Sequence, residues 1–231
     1  MLYIVPTPIG NLRDITLRAV DTLREADLIV CEDTRHAQKL LKAYEIHKPL
    51  LSLHEHSGEG RIREVLDRLS EGMSVALVSD SGTPLISDPG FELLREVIRE
   101  GLGFEILPGP CAFLTALVAS GLATDAFSFC GFLPPKPTAR KKLLASLEPR
   151  EETLIFYESP YRLQQTLEDM RTTFGEREAV VARELTKKFE EISRGYLSEL
   201  AAKFSQKKVL GEIVVLVAGK GRKELFHDKK G

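Results

Sequence analysis

Short apolar runs alternate with segments of helical period along most of the chain. Each run is rich in branched residues and bounded by turn residues, which is typical of buried strands. Between the runs, apolar residues recur with the spacing of one helix face, as at Ile62, Val65 and Leu69. This alternation predicts the α/β fold class. The predicted strands span residues 2–5, 28–31, 50–53, 75–78, 104–107, 154–157, 179–182 and 213–217.

The strand pattern predicts two domains rather than one. The first five strand units fill a length that is typical of a domain, and a second series follows a proline-rich loop at residues 132–137. Residues 111–124 are interpreted as a linker with a small helix. We therefore predict an N-terminal α/β domain at residues 1–115 and a C-terminal α/β domain at residues 116–231. The charged residues 220–231 are expected to fray.

Composition limits the class of protein. The chain has 231 residues, of which 43% are hydrophobic and 29% charged, which excludes disordered and fibrous proteins. No apolar run approaches the roughly 20 residues of a membrane helix, and the N-terminal segment lacks the features of a signal peptide. We therefore expect a cytoplasmic protein. Its three cysteines have no CxxC spacing, so neither a disulfide framework nor a cysteine zinc site is expected.

Charge is distributed unevenly between the two predicted domains. The formal net charge of the whole chain is -2, with about -6 on residues 1–115 and about +4 on the remainder. This favours the second domain as the one that faces an anion. A basic run follows the proline-rich loop, and it either contacts phosphates or forms a solvated helix face. The run consists of Lys136, Arg140, Lys141 and Lys142.

Four loops that follow predicted strands combine carboxylates, small residues and prolines. In an open α/β sheet the loops after the carboxyl ends of the strands converge on a crevice. The sequence therefore predicts a binding site at this edge of the first domain. The loops are residues 6–11, 32–36, 79–90 and 108–111.

Several residues of these loops have both a structural and a functional interpretation. Asp88 precedes Pro89, which fits a helix N-cap with proline at the first helical position, so a structural role is predicted for it. Asp80 and Thr83 have no such role. Backbone amides near Gly82 either hold a polar ligand group or only form a tight turn.

Two further segments leave alternatives open. Residues 32–36, with the sequence EDTRH, form either an acid, base and anion-binding set or an acidic helix N-terminus whose charges complement the helix dipole. His54, Glu55 and His56 suggest a metal site, but two histidines without a third ligand favour an exposed strand end.

Familiar catalytic signatures are missing from the sequence. It contains no GxxxxGK[ST], no GxGxxG after a strand, no GxSxG and no HExxH. This removes support for nucleoside triphosphate hydrolysis, the common dinucleotide mode, the serine-hydrolase elbow and zinc peptidase chemistry. The residues alone thus predict a two-domain α/β enzyme with a polar crevice.

At these loops the sequence resembles the tetrapyrrole-methylase-like S-adenosylmethionine-dependent methyltransferases. The matching motifs cover nearly the whole chain in order. The first loop favours the branch that modifies ribosomal RNA over the corrin and porphyrin methylases. The motifs are VPTPIGNLRDIT at 5–16, EDTRH at 32–36, SDSGTPLISDPG at 79–90, LPGPCA at 107–112, GFLP at 131–134, FYES at 156–159 and ARELTK at 182–187.

The resemblance implies a fold, a cofactor and a substrate. It implies two α/β domains with S-adenosyl-L-methionine in the cleft between them, and a homodimer. It implies methylation of the ribose 2′-hydroxyl of a cytidine in the decoding region of 16S ribosomal RNA in the small ribosomal subunit. Family members often continue past the position of Gly231 with a small helical extension. RNA affinity is therefore expected to come from other surfaces, or to be weaker.

The resemblance also implies positions for the cofactor contacts. In the first predicted domain they are Pro6, Asp80, Gly82, Thr83, Ile86, Cys111 and Ala112. In the second they are Phe132, Tyr157, Glu184, Gly211 and Glu212.

Roles in the reaction are hypotheses that rest on polar residues at strand ends. Asp33 is the candidate base, and Arg35 or Lys187 would polarise the oxygen or hold the adjacent phosphate. Asn11 and Arg13 would position the ribose, and the basic run would contact RNA.

Three other functions remain open at this point. One is a metal-dependent phosphohydrolase with magnesium at Asp33, Asp80 and Asp88. The second is a non-catalytic RNA-binding module, and the third is a corrin or porphyrin methylase.

Overall fold

The computed structural model describes residues 1–54, 57–206 and 209–222 of the chain. It divides into two compact units, Met1–Cys111 and Ala112–Gly231. The division thus falls at Cys111, whereas the sequence places it after residue 115. Both units combine helices with a five-stranded sheet, which confirms the predicted α/β fold class.

The first unit is built on a parallel sheet with the strand order β3-β2-β4-β1-β5. All five strands begin where the sequence predicts them and lose at most their last predicted residue. The strands are β1 Leu2–Ile4, β2 Leu28–Cys31, β3 Leu50–Ser52, β4 Val75–Leu77 and β5 Phe104–Ile106. The helices are α1 Leu17–Glu25, α2 Thr34–Ala43, α3 Glu59–Ser70 and α4 Phe91–Arg99, with a 3-10 turn at Leu12–Asp14.

Helices cover both faces of this sheet. Leu23 of α1 and Leu41 of α2 share one apolar cluster with Ile29 of β2. Val65 of α3 and Leu93 of α4 lie in the other cluster, on the opposite face. Because successive strand side chains point to opposite faces, each buried strand contributes to both clusters.

The connections of this sheet create a crevice between two neighbouring strands. The chain leaves β2 into α2 on one face and continues to β3, whereas it leaves β4 into α4 on the other face and continues to β5. The loops after β2 and β4 therefore diverge, although the two strands are adjacent. Such a switch point is where open α/β sheets bind ligands.

The second unit contains a mixed sheet with the strand order β6-β7-β10-β8-β9. β6 pairs with β7 in parallel, and the other pairs are antiparallel, with Val215 of the central β10 opposite Phe156 and Val181. The strands are β6 Phe127–Phe132, β7 Thr153–Glu158, β8 Glu178–Arg183, β9 Glu191–Tyr196 and β10 Ile213–Val217. The helices are α5 Ala112–Ser120, α6 Pro137–Leu147, α7 Leu163–Phe174 and α8 Leu197–Ser205.

Burial in the second unit is concentrated beneath three helices. Leu144 of α6, Leu167 of α7 and Leu200 of α8 pack with Phe156 and Val215 of the sheet in one cluster. α5 contacts strands β7 to β10. None of the helices in the described ranges has the length and apolar character needed to cross a membrane.

Two strands that the apolar pattern does not predict, β6 and β9, lie at the edges of the second sheet. β9 has the sequence EISRGY, and the side chains of β6 are only partly buried or exposed. An edge strand needs no continuous apolar run, because one side of it is not paired with another strand. The pattern that identifies central strands is therefore absent from both segments.

Candidate functional site

Three loops of the first unit are joined at the carboxyl edge of its sheet. Thr7 and Gly82 exchange two main-chain hydrogen bonds, of 2.9 Å from the Thr7 N–H and 3.1 Å from the Gly82 N–H. The Thr83 hydroxyl donates to the Pro110 carbonyl oxygen at 2.9 Å. The loops after β1, β4 and β5 thus form one continuous surface, which contains several of the predicted cofactor positions.

The loop after β4 has an unusual backbone. Gly82 has φ +82°, and a Cβ there would lie 3.2 Å from Ile9 Cγ2, so both its conformation and its surroundings favour glycine. Leu85 and Ser87 also have positive φ, at 72° and 67°. Positive φ is costly for residues with side chains, and such strain concentrates at binding and catalytic sites.

Four carboxylates collect at the crevice between β2 and β4. We call this group the acidic crevice, and it consists of Glu32, Asp33, Asp80 and Asp88. The Asp33 N–H donates to Asp80 Oδ1 at 3.4 Å, which links the two loops directly. Burial, followed by the charges of Asp80 and Asp33, raises the pKa of the Cys31 thiol beneath them to about 11.

Asp88 has the most perturbed carboxyl group of the acidic crevice. Burial raises its pKa to about 7, and the charges of Glu32 and Asp80 contribute, whereas a hydrogen bond with Ser79 opposes the rise. The carboxyl group is only partly accessible to solvent. It can therefore take up and release a proton near neutral pH.

The predicted N-cap role of Asp88 is wrong. α4 begins at Phe91, and its N-cap is Gly90, which has φ 111°. The chain turns into the helix at this glycine, so Pro89 is not the first helical residue. The sequence signal that points to Asp88 instead is its place in an overlong loop that follows a buried strand.

Asp33 has a structural role at the start of α2. It is the N-cap, and its Oδ1 accepts the Arg35 N–H at 2.8 Å, while Arg35 Nη2 pairs with Oδ2 at 2.8 Å. The side chain of Arg35, followed by its backbone N–H, lowers the pKa of Asp33 to about 2. Of the two interpretations of residues 32–36, these contacts support the helix N-terminus. The role of Asp33 as a base stays a prediction.

Other predicted residues of the first unit differ in exposure. Asn11 accepts the Arg13 N–H at 3.1 Å and so caps the 3-10 turn, and both residues are exposed. Pro6 is buried, and Gly109 packs against it so closely that a Cβ there would lie 2.5 Å from Pro6 Cβ. The remaining positions of this unit, Ile86 and Cys111, are partly buried, as is Ala112, the first residue of the second unit. Their roles toward cofactor and ribose stay predictions.

The second unit brings four predicted residues together after β8. Glu184 Oε1 accepts Lys187 Nζ at 3.0 Å and the Glu212 N–H at 3.1 Å, and Lys187 Nζ also lies 2.9 Å from Glu212 Oε2. Gly211 has φ +91°, and a Cβ there would lie 2.3 Å from Glu184 Oε1. Only glycine allows the carboxylate this position.

The protonation of this cluster follows from its contacts. Burial acts to lower the pKa of Lys187, but its hydrogen bonds to Glu212 and Glu184 outweigh burial, and the pKa is raised. Burial likewise acts to raise the pKa of Glu184, but the Lys187 bond and the Glu212 N–H leave it lowered. Lys187 is therefore a cation, which suits polarising an oxygen or holding a phosphate.

Aromatic residues lie next to each other on β6 and β7. The rings of Phe132 and Tyr157 are 5.6 Å apart between centroids, and Phe129 meets Tyr157 edge-on at 4.9 Å. Phe132 is 54% exposed, so its ring is available to a ligand. Aromatic faces of this kind suit an adenine or another base. Contacts of Phe132 and Tyr157 with the cofactor stay predictions.

The structure contradicts one member of the basic run. Arg140 is only 2% exposed, and its Nε and Nη2 lie 2.8 Å and 2.7 Å from Asp169 Oδ2. Arg140 shares the inner face of α6 with Leu144, four residues later, so it cannot reach RNA. Lys136, Lys141 and Lys142 are exposed.

A metal site has no support in the described part of the chain. No group of three or more His, Cys, Asp or Glu side chains there is placed to hold a metal ion. This includes the trio of Asp33, Asp80 and Asp88 considered for magnesium. His54 is exposed, whereas Glu55 and His56 lie outside the described residues.

Comparison with known proteins identifies the family. A sequence model described as tetrapyrrole (corrin/porphyrin) methylases matches residues 1–201. The chain belongs to the tetrapyrrole methylase family. It is an S-adenosylmethionine-dependent methyltransferase, and S-adenosylmethionine is its cofactor.

Relatives of this tetrapyrrole methylase share one name. The ribosomal RNA small subunit methyltransferase I of Thermotoga maritima is 50% identical over 219 residues, covering 95% of this chain and 98% of its own. The protein of that name from Bacillus subtilis is 46% identical over 230 residues, covering 100% of this chain and 79% of its own. The resemblance stated from the motifs is thus confirmed.

Solved structures of other methyltransferases share the fold of this tetrapyrrole methylase. The cobalamin biosynthetic enzyme cobalt precorrin-4 methyltransferase superposes with a TM-score of 0.71 at 21% identity, covering 94% of each chain. The methyltransferase CobJ superposes with a TM-score of 0.73 at 22% identity, covering 97% of this chain and 96% of its own. Likeness at this level of identity establishes the fold alone.

The polar groups of the acidic crevice suit the cofactor of this tetrapyrrole methylase. S-adenosylmethionine has an ammonium group, a ribose diol and a positively charged sulfonium. Carboxylates accept hydrogen bonds from the ammonium and the hydroxyl groups, and their negative charge complements that of the sulfonium. The crevice supplies carboxylates, together with small residues that let the backbone approach a ligand closely. The residues present therefore fit the cofactor.

Proposed function

We propose that this protein transfers a methyl group from S-adenosylmethionine to the ribose 2′-hydroxyl of a cytidine in 16S ribosomal RNA. One observation carries the proposal. Relatives with 46–50% identity over at least 94% of the chain are named ribosomal RNA small subunit methyltransferase I. The solved structures of cobalt precorrin-4 methyltransferase, CobJ and a uroporphyrin-III-C-methyltransferase, by contrast, are only 20–22% identical to this chain.

When bound, S-adenosylmethionine supplies an electrophilic methyl group on a sulfonium whose sulfur leaves as a neutral thioether. The protein must align the ribose oxygen with this methyl group and remove the hydroxyl proton. In the net reaction an oxygen–carbon bond forms, the carbon–sulfur bond breaks and one proton is released. No metal is needed for this balance.

The proposed proton acceptor is Asp88 of the acidic crevice. Its pKa of about 7 lets it be ionised and still take up a proton at neutral pH, which is optimal for a general base. Asp33, with a pKa of about 2, is a much weaker base and orients Arg35. The Asp33 hypothesis is tested separately by substitution with asparagine.

Cationic side chains are proposed to hold the RNA near the reacting group. The Arg35 side chain is 86% exposed, so it can contact a phosphate while it stays paired with Asp33. Lys187 is held as a cation by Glu184 and Glu212. Arginine and lysine bind phosphates in this way in many proteins.

The proposal includes the setting of the reaction. The substrate is the small ribosomal subunit, the enzyme works in the cytoplasm where subunits assemble, and it works as a homodimer. Sedimentation velocity of the purified protein tests the dimer, and a monomer at micromolar concentration would contradict it.

The function is tested with labelled S-adenosylmethionine and small ribosomal subunits from cells that lack the enzyme. We expect one labelled nucleoside, 2′-O-methylcytidine, at a single position of 16S ribosomal RNA. Label on a base, on another ribosomal RNA, or on no RNA would contradict the proposal. A calorimetric titration with S-adenosylmethionine verifies that the protein used is competent to bind its cofactor.

The same assay separates the alternatives. A corrin or porphyrin methylase would label a macrocycle offered in place of the subunits, and a purely RNA-binding module would give no heat with S-adenosylmethionine. A phosphohydrolase would release phosphate in a reaction that depends on Mg²⁺. No observation in the described residues favours any of these three.

A further inference from the structure

A groove lies beside α2 and the edge strand β3 of the first unit, and none of the predicted cofactor residues lines it. It encloses about 870 Å³. Its rim carries Lys42, His47 and Lys48, and its floor includes Leu41 and Ile46. We call it the α2 groove, and neither the family comparison nor the sequence motifs assign it a role.

The charge of the α2 groove is opposite to that of its surroundings. Residues 1–115 have a net charge of about -6, yet two lysines lie together on this rim. Among the described residues, no carboxylate forms an ion pair with Lys42 or Lys48, although the charge of Lys48 acts on Asp27 at longer range. The rim therefore presents positive charge to an anionic ligand.

The shape of the α2 groove suits a polymer rather than a small anion. Thr34 lines the groove at the start of α2 and directly follows Asp33 of the acidic crevice. Lys42 lines the groove two helical turns further along α2. This separation is roughly 12 Å along the helix axis. An apolar floor accommodates sugars and base faces, and a cationic rim accommodates phosphates.

We propose that the α2 groove binds a single-stranded segment of RNA next to the nucleotide that is methylated. This inference rests on the proposed function. A strand lying in the groove from Lys42 to Thr34 leads to the acidic crevice, so its next nucleotide can present the ribose there. Proteins that recognise RNA sequence mostly bind single-stranded segments, because the bases of these segments are accessible to side chains.

The test uses the double variant Lys42→Ala/Lys48→Ala and the matched control Lys39→Ala. Lys39 is exposed on the same helix but does not line the groove. The probes are a fluorescein-labelled single-stranded oligoribonucleotide and small subunits that lack the modification. Because the substituted side chains are exposed or only partly buried, the thermal unfolding midpoint and the affinity for S-adenosylmethionine should stay unchanged.

We expect the double variant to bind the oligoribonucleotide about 10- to 30-fold more weakly at roughly 0.1 M salt. The slope of log K against log salt should become shallower by about 1.4, the value for two lost phosphate contacts on a single strand. With subunits, the KM should rise by a similar factor while kcat changes by less than about 3-fold. The Lys39→Ala control should stay within about 2-fold of the wild type.

Two results would overturn the inference. One is a double variant that matches the control in affinity and salt slope. The other is weaker binding to subunits with unchanged binding to the oligoribonucleotide, which would assign the groove to a ribosomal protein. Wild-type methylation is measured in parallel, so that its absence contradicts the proposed function, whereas its presence together with either result contradicts only the groove.

Discussion

At the scale of single residues, Asp33 and Asp88 lie in the same crevice, yet their surroundings move their pKa values in opposite directions. Arg35 stabilises the charged form of Asp33, whereas burial and the charge of Glu32 disfavour the charged form of Asp88. Pairs of carboxyl groups whose pKa values are separated in this way often divide catalytic roles between them. Here the separation favours Asp88 as the proton acceptor and Asp33 as the residue that orients Arg35.

The raised pKa of Asp88 predicts a pH dependence of stability. Between the ordinary value of 3.8 and about 7 the folded state holds a proton that the unfolded state releases. The contribution of this group to stability is therefore lost as pH rises through that range. Asp88→Asn should raise the free energy of unfolding by roughly 1–3 kcal/mol at pH 8 and by little at pH 4. Urea unfolding of the variant and the wild type at both pH values measures this difference in the free energy of unfolding. An equal difference at both pH values would contradict the prediction.

The two aspartates are distinguished in catalysis by asparagine substitutions. Asparagine is a good N-cap, so Asp33→Asn preserves the start of α2 while it removes the charge. We expect Asp33→Asn to lower kcat by less than about 10-fold, and Asp88→Asn to lower it by about 100-fold or more. If Asp33→Asn is as inactive as Asp88→Asn while it still binds S-adenosylmethionine, Asp33 belongs in the mechanism as the base.

At the scale of elements, α6 and α7 hold the proline-rich loop through buried charges. Arg140 pairs with Asp169 of α7, and its Nη1 lies 3.4 Å from the Pro135 carbonyl oxygen. Arg162 donates to the Leu133 carbonyl oxygen at 3.1 Å and pairs with buried Glu158 at 2.7 Å. The loop that follows Phe132, the last residue of β6, is thus held by one side chain from α6 and one from the N-cap of α7.

The buried pair predicts a large effect on stability. Arg140→Met leaves the Asp169 charge without its main partner in the core, so the free energy of unfolding should fall by about 3–5 kcal/mol. Lys142→Ala on the exposed face of the same helix should change it by less than about 0.5 kcal/mol. Denaturant unfolding compares the two, and similar small effects would show that Arg140 is not confined to the core.

Elements differ in how far the sequence identifies them. The central strands β2, β4 and β10 are buried along their whole length, and their apolar runs identify them. β9 lies at a sheet edge and contains Glu191, Ser193, Arg194 and Gly195 among its six residues, so its local pattern is typical of a loop. Its pairing with the preceding strand β8 makes it a strand, and the sequence of the segment itself shows no strand pattern.

At the scale of the whole molecule, the positive charge of the second unit predicts a salt-dependent contact with RNA. Lys136, Lys141 and Lys142 remain exposed after Arg140 is assigned to the core. Their joint replacement by alanine, with Arg140 intact, should weaken subunit binding and make the salt slope shallower by about 2. An unchanged slope in filter-binding measurements would assign these lysines to a solvated helix face.

The amino-acid sequence alone is enough to predict the α/β class, the central strands and the loops that are expected to carry the chemistry. These follow from local periodicity and from the rule that loops at the carboxyl ends of strands form the site. The family motifs lie in those same loops, and the family followed from them.

The folded chain is needed to show which charged side chains are buried and which carboxylates share a crevice. Arg140 and Lys141 are neighbours in sequence and both pair with Asp169 of α7, but the side chain of Arg140 is buried and that of Lys141 is exposed. Asp88 and Glu32 are more than fifty residues apart, and the pKa of Asp88 depends on their proximity. Burial and electrostatic coupling arise from packing between segments that are distant in sequence. A local pattern of hydrophobic and polar residues does not predict that packing.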